Sequence, residues 1–370
     1  MSKQIFIAGG GTAGHVNPAL AIAEAIKERE PNSKLTFFVT QNGVENKMVE
    51  EAGYDRIVIK AGRLPSHISQ VLSFGFSSIS GYKTCVKAIE EKKPDAVIGT
   101  GGFVCGPLLL AASRHQVPYL IHEQNAFPGR ANRFFAKNAS AICISFEKSK
   151  EHFKSAKNVV YTGNPIKKIF FEMTSEKARK EINVPSDKFL VLIMGGSLGA
   201  KKINKAVLDI FKENLWQKMK KKYPEVMLSI STGPRNYSNM VEQLREYNLT
   251  DVWLAEYLDS TLWLPAADVY VGRSGASSAF ESAATGTPTI FLPYPHAADN
   301  HQYHNAMAFT KDDAAILIED KDFNGRILLD QIRFLIENRS ILYDMEKKSK
   351  ANAMPNSAKA ITDTLFEYVL

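Results

Sequence analysis

The stretch that decides the fold is IFIAGGGTAGHVNP, residues 5–18. A short apolar run enters a glycine cluster, and the helix-forming sequence PALAIAEAIKERE follows at 18–30. An apolar strand, a glycine turn and a helix form the first unit of a doubly wound α/β fold. Asn17 as the N-cap residue and Pro18 in the first turn predict that this helix begins near Pro18.

Similar apolar runs recur along the chain and alternate with helical patterns. Many are almost continuously apolar, as parallel strands buried on both faces are. This alternation predicts parallel sheets with helices on both faces. The predicted strands are QIFIA (4–8), KLTFFV (34–39), DAVIGT (95–100), VPYLIH (117–122), SAICIS (140–145), FLVLIM (189–194), VMLSIS (226–231), DVYVG (268–272) and PTIFLP (288–293).

The pattern restarts in the middle of the chain, which indicates two similar domains. FLVLIMGGSLGAKKIN at 189–204 again leads from an apolar strand into a glycine turn and a helix. The polar stretch YTGNPIKKIFFEMTSEKARKEINVPSDK at 161–188 suits a linker. We therefore expect one domain over 1–163, with a helix at about 350–370 packing back on it, and a second domain over 164–349.

Composition narrows the class of protein. The chain has 370 residues, 45% hydrophobic and 23% charged, and its three cysteines form no C-x-x-C pair. These features are typical of a globular protein with reduced thiols. The apolar run at the start is too short for a signal peptide, and no stretch approaches the roughly 20 apolar residues of a membrane span. We expect a chain that is neither secreted nor integral to a membrane.

The net charge of +7 favours an anionic partner, which leaves nucleic acid, phosphate-bearing metabolites and lipid surfaces open beside plain solubility. A glycine turn between a strand and a helix lets backbone N–H groups approach such an anion. The loops at 9–14 and 195–199, and a third in GTGGFVCGP at 99–107, all meet this requirement.

A nicotinamide or flavin dinucleotide is the first ligand that such a loop suggests. Gly9, Gly11 and Gly14 fit G-x-G-x-x-G, but a dinucleotide site needs an Asp or Glu at the end of the second strand. Here FFVTQNG (37–43) places Gln41 and Asn42 there, and Glu45 is the nearest carboxylate. The pattern therefore predicts no dinucleotide cofactor.

The motifs resemble those of the MurG family, the UDP-N-acetylglucosamine transferases of the membrane step in peptidoglycan synthesis. The resemblance covers nearly the whole chain and implies the GT-B fold, with two Rossmann-like domains facing a cleft. It also implies a hexosyltransferase that moves GlcNAc from UDP-GlcNAc to the muramyl 4-hydroxyl of a lipid-linked pentapeptide, with inversion. The motifs are GGGTAGHVNPALAIA (9–23), GTGGFVCGP (99–107), HEQNAFPGRANR (122–133), TGNPI (162–166), GGSLGAKKIN (195–204), GRSGASSAFESAATGTPTIFLPYP (272–295) and DNHQYHNA (299–306).

The resemblance implies a set of donor-binding positions. Those in the second half bind the uracil, the ribose, the diphosphate and the GlcNAc hydroxyls, and Glu281 binds the ribose. Lys167 stands where the family commonly has arginine, which keeps the charge but loses the bidentate fork. Leu198 and His301 stand where many members have glutamine. The full set is Thr12, Ala13, Gly14, Asn125, Lys167, Ser197, Tyr257, Leu258, Arg273, Ser274, Gly275, Ala276, Ser277, Ser278, Glu281, His301 and Gln302.

His15 is the predicted general base. It lies beside a helix N-terminus, whose positive end favours the neutral imidazole that can accept a proton. Glu123 in HEQNA is the rival or helper, and Asn125 is placed against the sugar. We expect no bound metal, since the spacing of His296, His301 and His304 suits no standard zinc pattern, although a loosely held Mg²⁺ stays open.

A lipid acceptor requires contact with a bilayer, and the resemblance implies a peripheral enzyme on the cytoplasmic face of the bacterial inner membrane. The segment RLPSHISQVLSFGFSSISGYKTCVK (63–87) combines apolar bulk with basic flanks, as interfacial segments do. The alternative is an ordinary amphipathic helix packed on its own sheet. The predicted membrane-contact residues are Val71, Leu72, Phe74, Phe76, Ile79 and Tyr82.

Two other functions stay open at this point. One is another GT-B enzyme, such as a glycolipid synthase or a UDP-GlcNAc epimerase. The other is a non-catalytic nucleotide-sugar-binding scaffold at the membrane. The partners implied by the resemblance are UDP-GlcNAc, the undecaprenyl-linked muramyl pentapeptide, an anionic membrane surface and other cell-wall synthesis proteins, with no nucleic acid and no cofactor.

Overall fold

The structure is a computed structural model that describes residues 2–62, 71–196 and 198–370, with the backbone alone for 71–76. The chain divides into two compact units. The N-terminal unit comprises Met1–Lys167 together with Met354–Leu370, and the C-terminal unit comprises Lys168–Ala353.

The N-terminal unit contains a seven-stranded parallel sheet in the order β3-β2-β1-β4-β5-β6-β7. Its strands are β1 (Gln4–Ala8), β2 (Lys34–Thr40), β3 (Asp55–Ile59), β4 (Ala96–Gly99), β5 (Tyr119–Glu123), β6 (Ala141–Ile144) and β7 (Val159–Tyr161). Its helices are α1 (Ala13–Arg29), α2 (Val44–Glu51), α3 (Val71–Lys92), α4 (Cys105–Arg114) and α5 (Arg130–Phe135).

The sheet is buried on both faces, and β1 shows why. Phe6 and Ala8 pack into the core on one face, and Ile5 and Ile7 pack into the core on the other. Successive side chains of a strand point to opposite faces, so a strand covered on both sides must be continuously apolar. The last helix of the chain, at Ser357–Tyr368, covers the second face, and its Arg29–Asp363 ion pair joins it to α1 at 2.6 Å.

The C-terminal unit contains a six-stranded parallel sheet in the order β10-β9-β8-β11-β12-β13. Its strands are β8 (Phe189–Met194), β9 (Val226–Ser231), β10 (Val252–Ala255), β11 (Val269–Gly272), β12 (Thr289–Phe291) and β13 (Ala315–Leu317). Its helices are α6 (Ile169–Glu172), α7 (Ser175–Glu181), α8 (Lys201–Lys212), α9 (Leu215–Lys222), α10 (Tyr237–Leu244), α11 (Ser260–Ala266), α12 (Ala276–Thr285), α13 (His301–Thr310), α14 (Gly325–Glu337) and α15 (Arg339–Ala351); the helix at Ser357–Tyr368 is α16.

The predicted α/β class with two Rossmann-like sheets is confirmed, and all nine predicted strands form. Two local predictions were wrong. Helix α1 begins at Ala13 instead of Pro18, because the N–H groups of His15 and Val16 already bond to the carbonyl of Thr12. The stretch 161–188 is more than a linker, because it contains α6 and α7, and Arg179 of α7 pairs with Asp268 of the C-terminal unit at 2.6 Å.

Candidate functional site

Each sheet has one switch point, where neighbouring strands lead to helices on opposite sides. In the N-terminal unit it lies between β1 and β4, and in the C-terminal unit between β8 and β11. Ligands of open parallel sheets bind beyond the carboxyl ends of the strands at this point. The loops that leave these strands contain most of the predicted site residues.

The glycine turn after β1 is packed tightly against the turn after β4. A Cβ atom on Gly9 would lie 1.9 Å from Oγ1 of Thr100, so only glycine fits there. Gly11 has φ of +85°, which also favours glycine. The predicted donor-side residues Thr12, Ala13 and Gly14 follow this turn, where Thr12 is exposed and the other two are half-buried.

Glu45 occupies the glycine turn after β1. Its buried carboxylate accepts hydrogen bonds from the N–H of Gly11 at 3.1 Å and the N–H of Thr40 at 3.1 Å. The hydroxyl of Thr40 donates to the same carboxylate. The carboxylate oxygens of Glu45 thus take the position beside the N–H of Gly11 that a phosphate oxygen would need. Glu45 is the carboxylate nearest in sequence to the position expected to bind a ribose, and its hydrogen bonds instead connect the ends of β1 and β2.

His15 is half-buried on the first turn of α1 and faces the ends of β4 and β5. Its Nδ1 lies 3.2 Å from the carbonyl oxygen of Thr100 and 3.0 Å from Oε1 of Gln124. The hydroxyl of Thr100 donates to the carbonyl of His15 at 2.7 Å, which fixes the backbone of the first turn as well. Both oxygens near Nδ1 are acceptors, so Nδ1 has the proton and Nε2 is the basic nitrogen of the neutral ring.

Gln124 connects His15 to a second, fully buried histidine. Nε2 of Gln124 lies 2.9 Å from Nδ1 of His122 and 3.1 Å from the carbonyl oxygen of His122. Nε2 of His122 lies 3.2 Å from the carbonyl of Gly163. Burial lowers the pKa of His122 to about 4, so this ring is neutral at ordinary pH. His122 and Gln124 were not among the predicted site residues, although both belong to the HEQN motif at 122–125.

Glu123, the predicted rival base, is buried at the end of β5, with its carboxylate engaged by the loop that follows. It accepts hydrogen bonds from the N–H and Nδ2 of Asn125 at 2.8 and 3.1 Å. It also accepts from the N–H of Gly129 at 2.9 Å and from Nδ2 of Asn132 at 2.8 Å. Four donors on one carboxylate make Glu123 an anchor for residues 125–132, and this anchor positions Asn125.

In the C-terminal unit, the N-terminus of α12 is the best candidate for an anion site. Gly275 is its N-cap residue, no side chain caps the helix, and the first turn contains no acid. The Oγ atom of Ser277 is buried there without a hydrogen-bond partner among the described residues. Uncapped N–H groups and an unsatisfied hydroxyl at one helix end are what a phosphate group requires.

The neighbouring serines have internal partners. The hydroxyl of the buried Ser274 donates to the carbonyl of Gln302 at 2.8 Å, and Nδ2 of Asn305 donates to the carbonyl of Ser274 at 3.1 Å. Ser278 is hydrogen-bonded to the hydroxyl of Tyr270, whose pKa is raised by burial. These contacts tie the loop after β11 to α13, while Ala276 is buried at the start of α12.

Arg273 is held by its own unit. Its Nη1 donates to the carbonyls of Leu292 and Pro293 at 2.9 and 3.2 Å and pairs with Asp320 at 2.6 Å. Its guanidinium also lies over the ring of Tyr294. The arginine therefore braces the loop after β12. Nothing in the sequence around Asp320 indicated this pairing.

Glu281 lies on α12, and Tyr257 and Leu258 lie in the loop between β10 and α11. Leu258 is buried, whereas Tyr257 is largely exposed. Partial desolvation of its hydroxyl raises the pKa of Tyr257, with smaller contributions from the charges of Asp259 and Glu281. Glu281 therefore lies within electrostatic range of the hydroxyl of Tyr257.

His301 and Gln302 open α13 after two residues in the left-handed region, Asp299 with φ of +49° and Asn300 with φ of +53°. Nδ1 of His301 lies 2.8 Å from the carbonyl of Ala298, and Oε1 of Gln302 accepts the N–H of Tyr294 at 2.9 Å. The amide nitrogen of Gln302 is thereby the end of the side chain that can donate to a ligand.

Three predicted positions lie in loops. Lys167 is exposed at the end of the N-terminal unit, and Leu198 is exposed after β8. Ser197 lies outside the described residues. Gly199 is packed tightly, because a Cβ atom there would lie 2.0 Å from the carbonyl oxygen of Thr232. Helix α8 follows without a side-chain cap, so its N-terminus is also a candidate phosphate position.

Helix α3 contains the predicted membrane-contact residues. The side chains of Val71, Leu72, Phe74 and Phe76 lie outside the described residues. Ile79 is exposed, whereas Tyr82 packs against the core of its own unit. Within the described ranges, none of the helices combines the length and apolar character that a membrane span requires. In the same ranges, no three His, Cys, Asp or Glu side chains form a group suited to a metal ion.

Two parallel sheets with glycine turns at their switch points, and an uncapped helix end in the second unit, are typical of nucleotide-binding α/β proteins. The family comparison agrees with this class. Residues 5–144 match the glycosyltransferase family 28 N-terminal domain, and residues 190–361 match the glycosyltransferase family 28 C-terminal domain.

Individual relatives are similar over nearly the full chain. The UDP-N-acetylglucosamine--N-acetylmuramyl-(pentapeptide) pyrophosphoryl-undecaprenol N-acetylglucosamine transferase of Acetivibrio thermocellus is 36% identical over 98% of this chain and 97% of its own. The Bacillus pumilus enzyme of the same name is 36% identical over 98% and 99%. The chain therefore belongs to glycosyltransferase family 28 and to the MurG group of transferases within it.

Solved structures agree. The crystal structure of Acinetobacter baumannii MurG aligns with a TM-score of 0.76 at 25% identity, over 99% of this chain and all of that one. The UDP-GlcNAc 2-epimerase of Neisseria meningitidis aligns with a TM-score of 0.69 at 14% identity, over 99% and 100%. The second likeness shows the shared fold alone.

Proposed function

We propose that the chain transfers GlcNAc from UDP-GlcNAc to the muramyl 4-hydroxyl of an undecaprenyl-pyrophosphoryl muramyl pentapeptide. The observation that carries this proposal is the full-length similarity to transferases of that name. The reaction joins the acceptor oxygen to the anomeric carbon of GlcNAc with inversion and releases UDP.

His15 is the proposed general base. Its Nε2 takes the proton of the acceptor hydroxyl while the oxygen of that hydroxyl bonds to the anomeric carbon. The bond from this carbon to the diphosphate oxygen breaks, and UDP leaves with the electron pair. General base catalysis of this kind contributes roughly 10²–10⁴-fold. Glu123 acts indirectly in this scheme, since its four hydrogen bonds hold Asn125 in place against the sugar.

The donor is proposed to bind at the C-terminal unit. The N–H groups at the start of α12, from Ala276 to Ser278, and the buried hydroxyl of Ser277 would face the diphosphate, together with Ser197 and Lys167. Glu281 would accept the ribose hydroxyls, and Tyr257 and Leu258 would hold the uracil. Stabilisation of the charge that develops on the leaving diphosphate supplies a large share of the rate enhancement in such sites.

The GlcNAc group of the donor is proposed to contact the start of α13. Gln302 would read the GlcNAc hydroxyls through its amide nitrogen, and His301 would add a second polar contact. Arg273 and Ser274 would support this site indirectly. Arg273 donates hydrogen bonds to the loop after β12, and Ser274 donates one to α13. Thr12, Ala13 and Gly14 contribute the backbone next to His15.

We assign the acceptor and the membrane surface to the N-terminal domain, 1–163 with the closing helix at about 350–370, and the donor to 164–349. The enzyme is proposed to work as a peripheral protein on the cytoplasmic face of the bacterial inner membrane. Exposed basic residues on α3, such as Lys83 and Lys87, suit an anionic lipid surface. Other cell-wall synthesis proteins are proposed as neighbours there, and no cofactor is required.

The first experiment measures UDP release from UDP-GlcNAc with and without the muramyl-pentapeptide lipid. Release that depends on the acceptor, with a GlcNAc-extended lipid as product, is the expected result. Release without the acceptor would indicate an epimerase or a hydrolase instead. Donor binding with no release under either condition would favour a non-catalytic scaffold.

A further inference from the structure

A chain of hydrogen bonds runs from the proposed base into the interior of the N-terminal unit. It passes from Nδ1 of His15 to Oε1 of Gln124, and from Nε2 of Gln124 to Nδ1 of His122. It ends where Nε2 of His122 meets the carbonyl of Gly163. Gln124 and His122 are buried, so water does not substitute for these partners.

Backbone carbonyls determine the direction of this chain. The carbonyl of Thr100 meets Nδ1 of His15, the carbonyl of His122 meets the amide of Gln124, and the carbonyl of Gly163 meets the ring of His122. A carbonyl oxygen only accepts hydrogen bonds. His15, Gln124 and His122 must therefore each direct an N–H group at the backbone carbonyl that they contact.

The amide of Gln124 has a single favourable orientation for this reason. Its nitrogen faces the carbonyl and Nδ1 of His122, and its oxygen faces the N–H at Nδ1 of His15. A flipped amide would place its oxygen against the carbonyl of His122 and its NH₂ group against the N–H of His15. Both contacts would be repulsive in a buried site, where unmatched polar groups are costly.

We infer that Gln124 is a positioning residue which, oriented by His122, holds His15 with its proton on Nδ1 and its basic lone pair on Nε2. This inference rests on the proposed function of His15 as the general base. The carbonyl of Thr100 provides part of the same restraint, and Gln124 adds the component that a side-chain substitution can alter. As the ring becomes charged during proton transfer, its bond to Oε1 strengthens, because charged donors make stronger hydrogen bonds.

Several titratable groups lie on the elements around His15. They are His122 and Glu123 on β5, Glu45 on α2 and Cys105 at the start of α4. Burial lowers the pKa of His122 to about 4 and raises that of Cys105 to about 12, so neither changes charge near neutral pH. Glu123 accepts four hydrogen bonds and Glu45 accepts three, all from groups other than His15.

Two substitutions at Gln124 have opposite expected effects on the full-length enzyme. Gln124→Met keeps the volume and removes the acceptor, so the acidic limb of the kcat/KM profile moves to lower pH by about 0.5–1 unit. Gln124→Glu places a negative charge beside Nδ1–H, so the same limb moves to higher pH by roughly 1–3 units. In Gln124→Met, kcat falls about tenfold while KM for UDP-GlcNAc is unchanged.

A buried hydroxyl elsewhere in the unit provides the control. Thr362 on α16 is buried and donates to the carbonyl of Ala358 at 2.9 Å. Thr362→Val removes one buried polar atom at similar volume. We expect it to leave the pH profile in place, because only a group in contact with His15 shifts that limb.

Nitrogen-15 spectroscopy of labelled histidine reads the proton position directly. The neutral ring of His15 is expected to have its proton on Nδ1 in the unsubstituted enzyme and to gain the other tautomer in Gln124→Met. A neutral His15 with its proton on Nε2, or acidic limbs that coincide in the Met and Glu variants, would overturn the inference. The proposed base role of His15 fails separately if His15→Ala still transfers GlcNAc at the unsubstituted rate, and the proposed transferase function fails if the unsubstituted enzyme forms no GlcNAc-extended lipid.

His122 can be tested by a conservative rescue. His122→Leu removes the ring acceptor that orients Gln124, and we expect the second tautomer of His15 to appear. In His122→Asn the side-chain oxygen can accept from Gln124 in place of Nδ1. The Asn variant should restore the Nδ1-protonated His15. Equal tautomer populations in the two variants would contradict a role of His122 in orienting the amide.

Discussion

Nδ1 of His15 lies 3.0 Å from Oε1 of Gln124, although 109 positions separate the two residues in the chain. The contact joins the first turn of α1 to the end of β5 across the switch point of the sheet. It gives the imidazole a defined orientation before any substrate is bound. Pre-organisation of this kind reduces the cost of reaching the reactive geometry.

The most direct prediction concerns His15 itself. His15→Ala removes the proposed base, so kcat is expected to fall by roughly 10²–10⁴-fold. The affinity for UDP-GlcNAc should change little, because most of the proposed donor contacts belong to the C-terminal unit. Acceptor-dependent UDP release and calorimetric titration with UDP-GlcNAc measure the two quantities. A His15→Ala enzyme with unsubstituted kcat would require a different base.

A second prediction tests the ribose contact. Glu281→Ala is expected to weaken UDP-GlcNAc binding by roughly 10–100-fold, since a hydrogen-bonded carboxylate is lost. Glu242 is an exposed carboxylate on α10 of the same unit and serves as the matched control. Titration calorimetry should give unsubstituted affinity for Glu242→Ala. Equal affinities for the two variants would remove Glu281 from the donor site.

The third prediction compares two arginine pairs of the C-terminal unit. The side chains of Arg273 and Asp320 are only 11% and 20% exposed, and Arg273→Ala should lower the free energy of unfolding by roughly 3 kcal/mol. The side chains of Arg326 and Glu213 are 72% and 45% exposed, and Arg326→Ala should cost about 0.5 kcal/mol.

Tryptophan fluorescence can follow this comparison in urea, because Trp216, Trp253 and Trp263 all lie in the C-terminal unit. Similar unfolding midpoints for the two alanine variants would contradict a bracing role for Arg273. They would favour a direct contact with the donor instead.

The fourth prediction follows from the low pKa of His122. Burial lowers it to about 4 from an ordinary 6.5. Between these two pH values His122 binds a proton in the unfolded chain but not in the folded chain. The contribution of neutral His122 to the free energy of unfolding is therefore fully present above pH 6.5 and is lost as the pH falls towards about 4. The loss across this window amounts to about 3 kcal/mol.

Hydrogen exchange of β5 and β6 at about pH 7 and about pH 5 measures this change in the N-terminal unit. His122→Asn has no proton to gain, so its exchange should depend less on pH than that of the unsubstituted chain. The same pH dependence in both proteins would assign the effect to other groups.

The fifth prediction concerns the membrane. Phe74→Ser with Phe76→Ser, or Ile79→Ser alone, should reduce binding to vesicles that contain anionic lipid, because each loses apolar area for insertion. Binding of UDP-GlcNAc should be unchanged. Tyr343→Ser, which removes an exposed aromatic ring from the C-terminal unit, is the control. Vesicle binding that survives the α3 substitutions would place the contact elsewhere.

The sequence predicted the interior strands of both sheets but not their edge strands. All nine strands predicted from continuous apolar runs are present. The four strands that were not predicted, β3, β7, β10 and β13, are the four edges of the two sheets. An edge strand is covered on fewer sides, so its residues need not be continuously apolar, and Asp55, Tyr161 and Trp253 are accordingly exposed.

The site shows the same division between local and distant information. His15 and the start of α12 follow from a glycine turn and the helix after it, which are local patterns. Asp320, which pairs with Arg273, is 47 residues away in the chain, and Gln124, which contacts His15, is 109 residues away. The spacing of these partners in the sequence is determined by the fold, and no periodicity indicates it.

The contact between Glu45 and the glycine turn after β1 bears on how such turns are interpreted in other proteins. The carboxylate of Glu45 accepts the hydrogen bond that the N–H of Gly11 would otherwise donate to a bound phosphate. Glu45 thus fills, from within the chain itself, the position of a phosphate oxygen at this turn. Glycine spacing describes only the shape of such a turn. The side chain that enters it from the next helix decides whether the turn is a binding site or part of the scaffold.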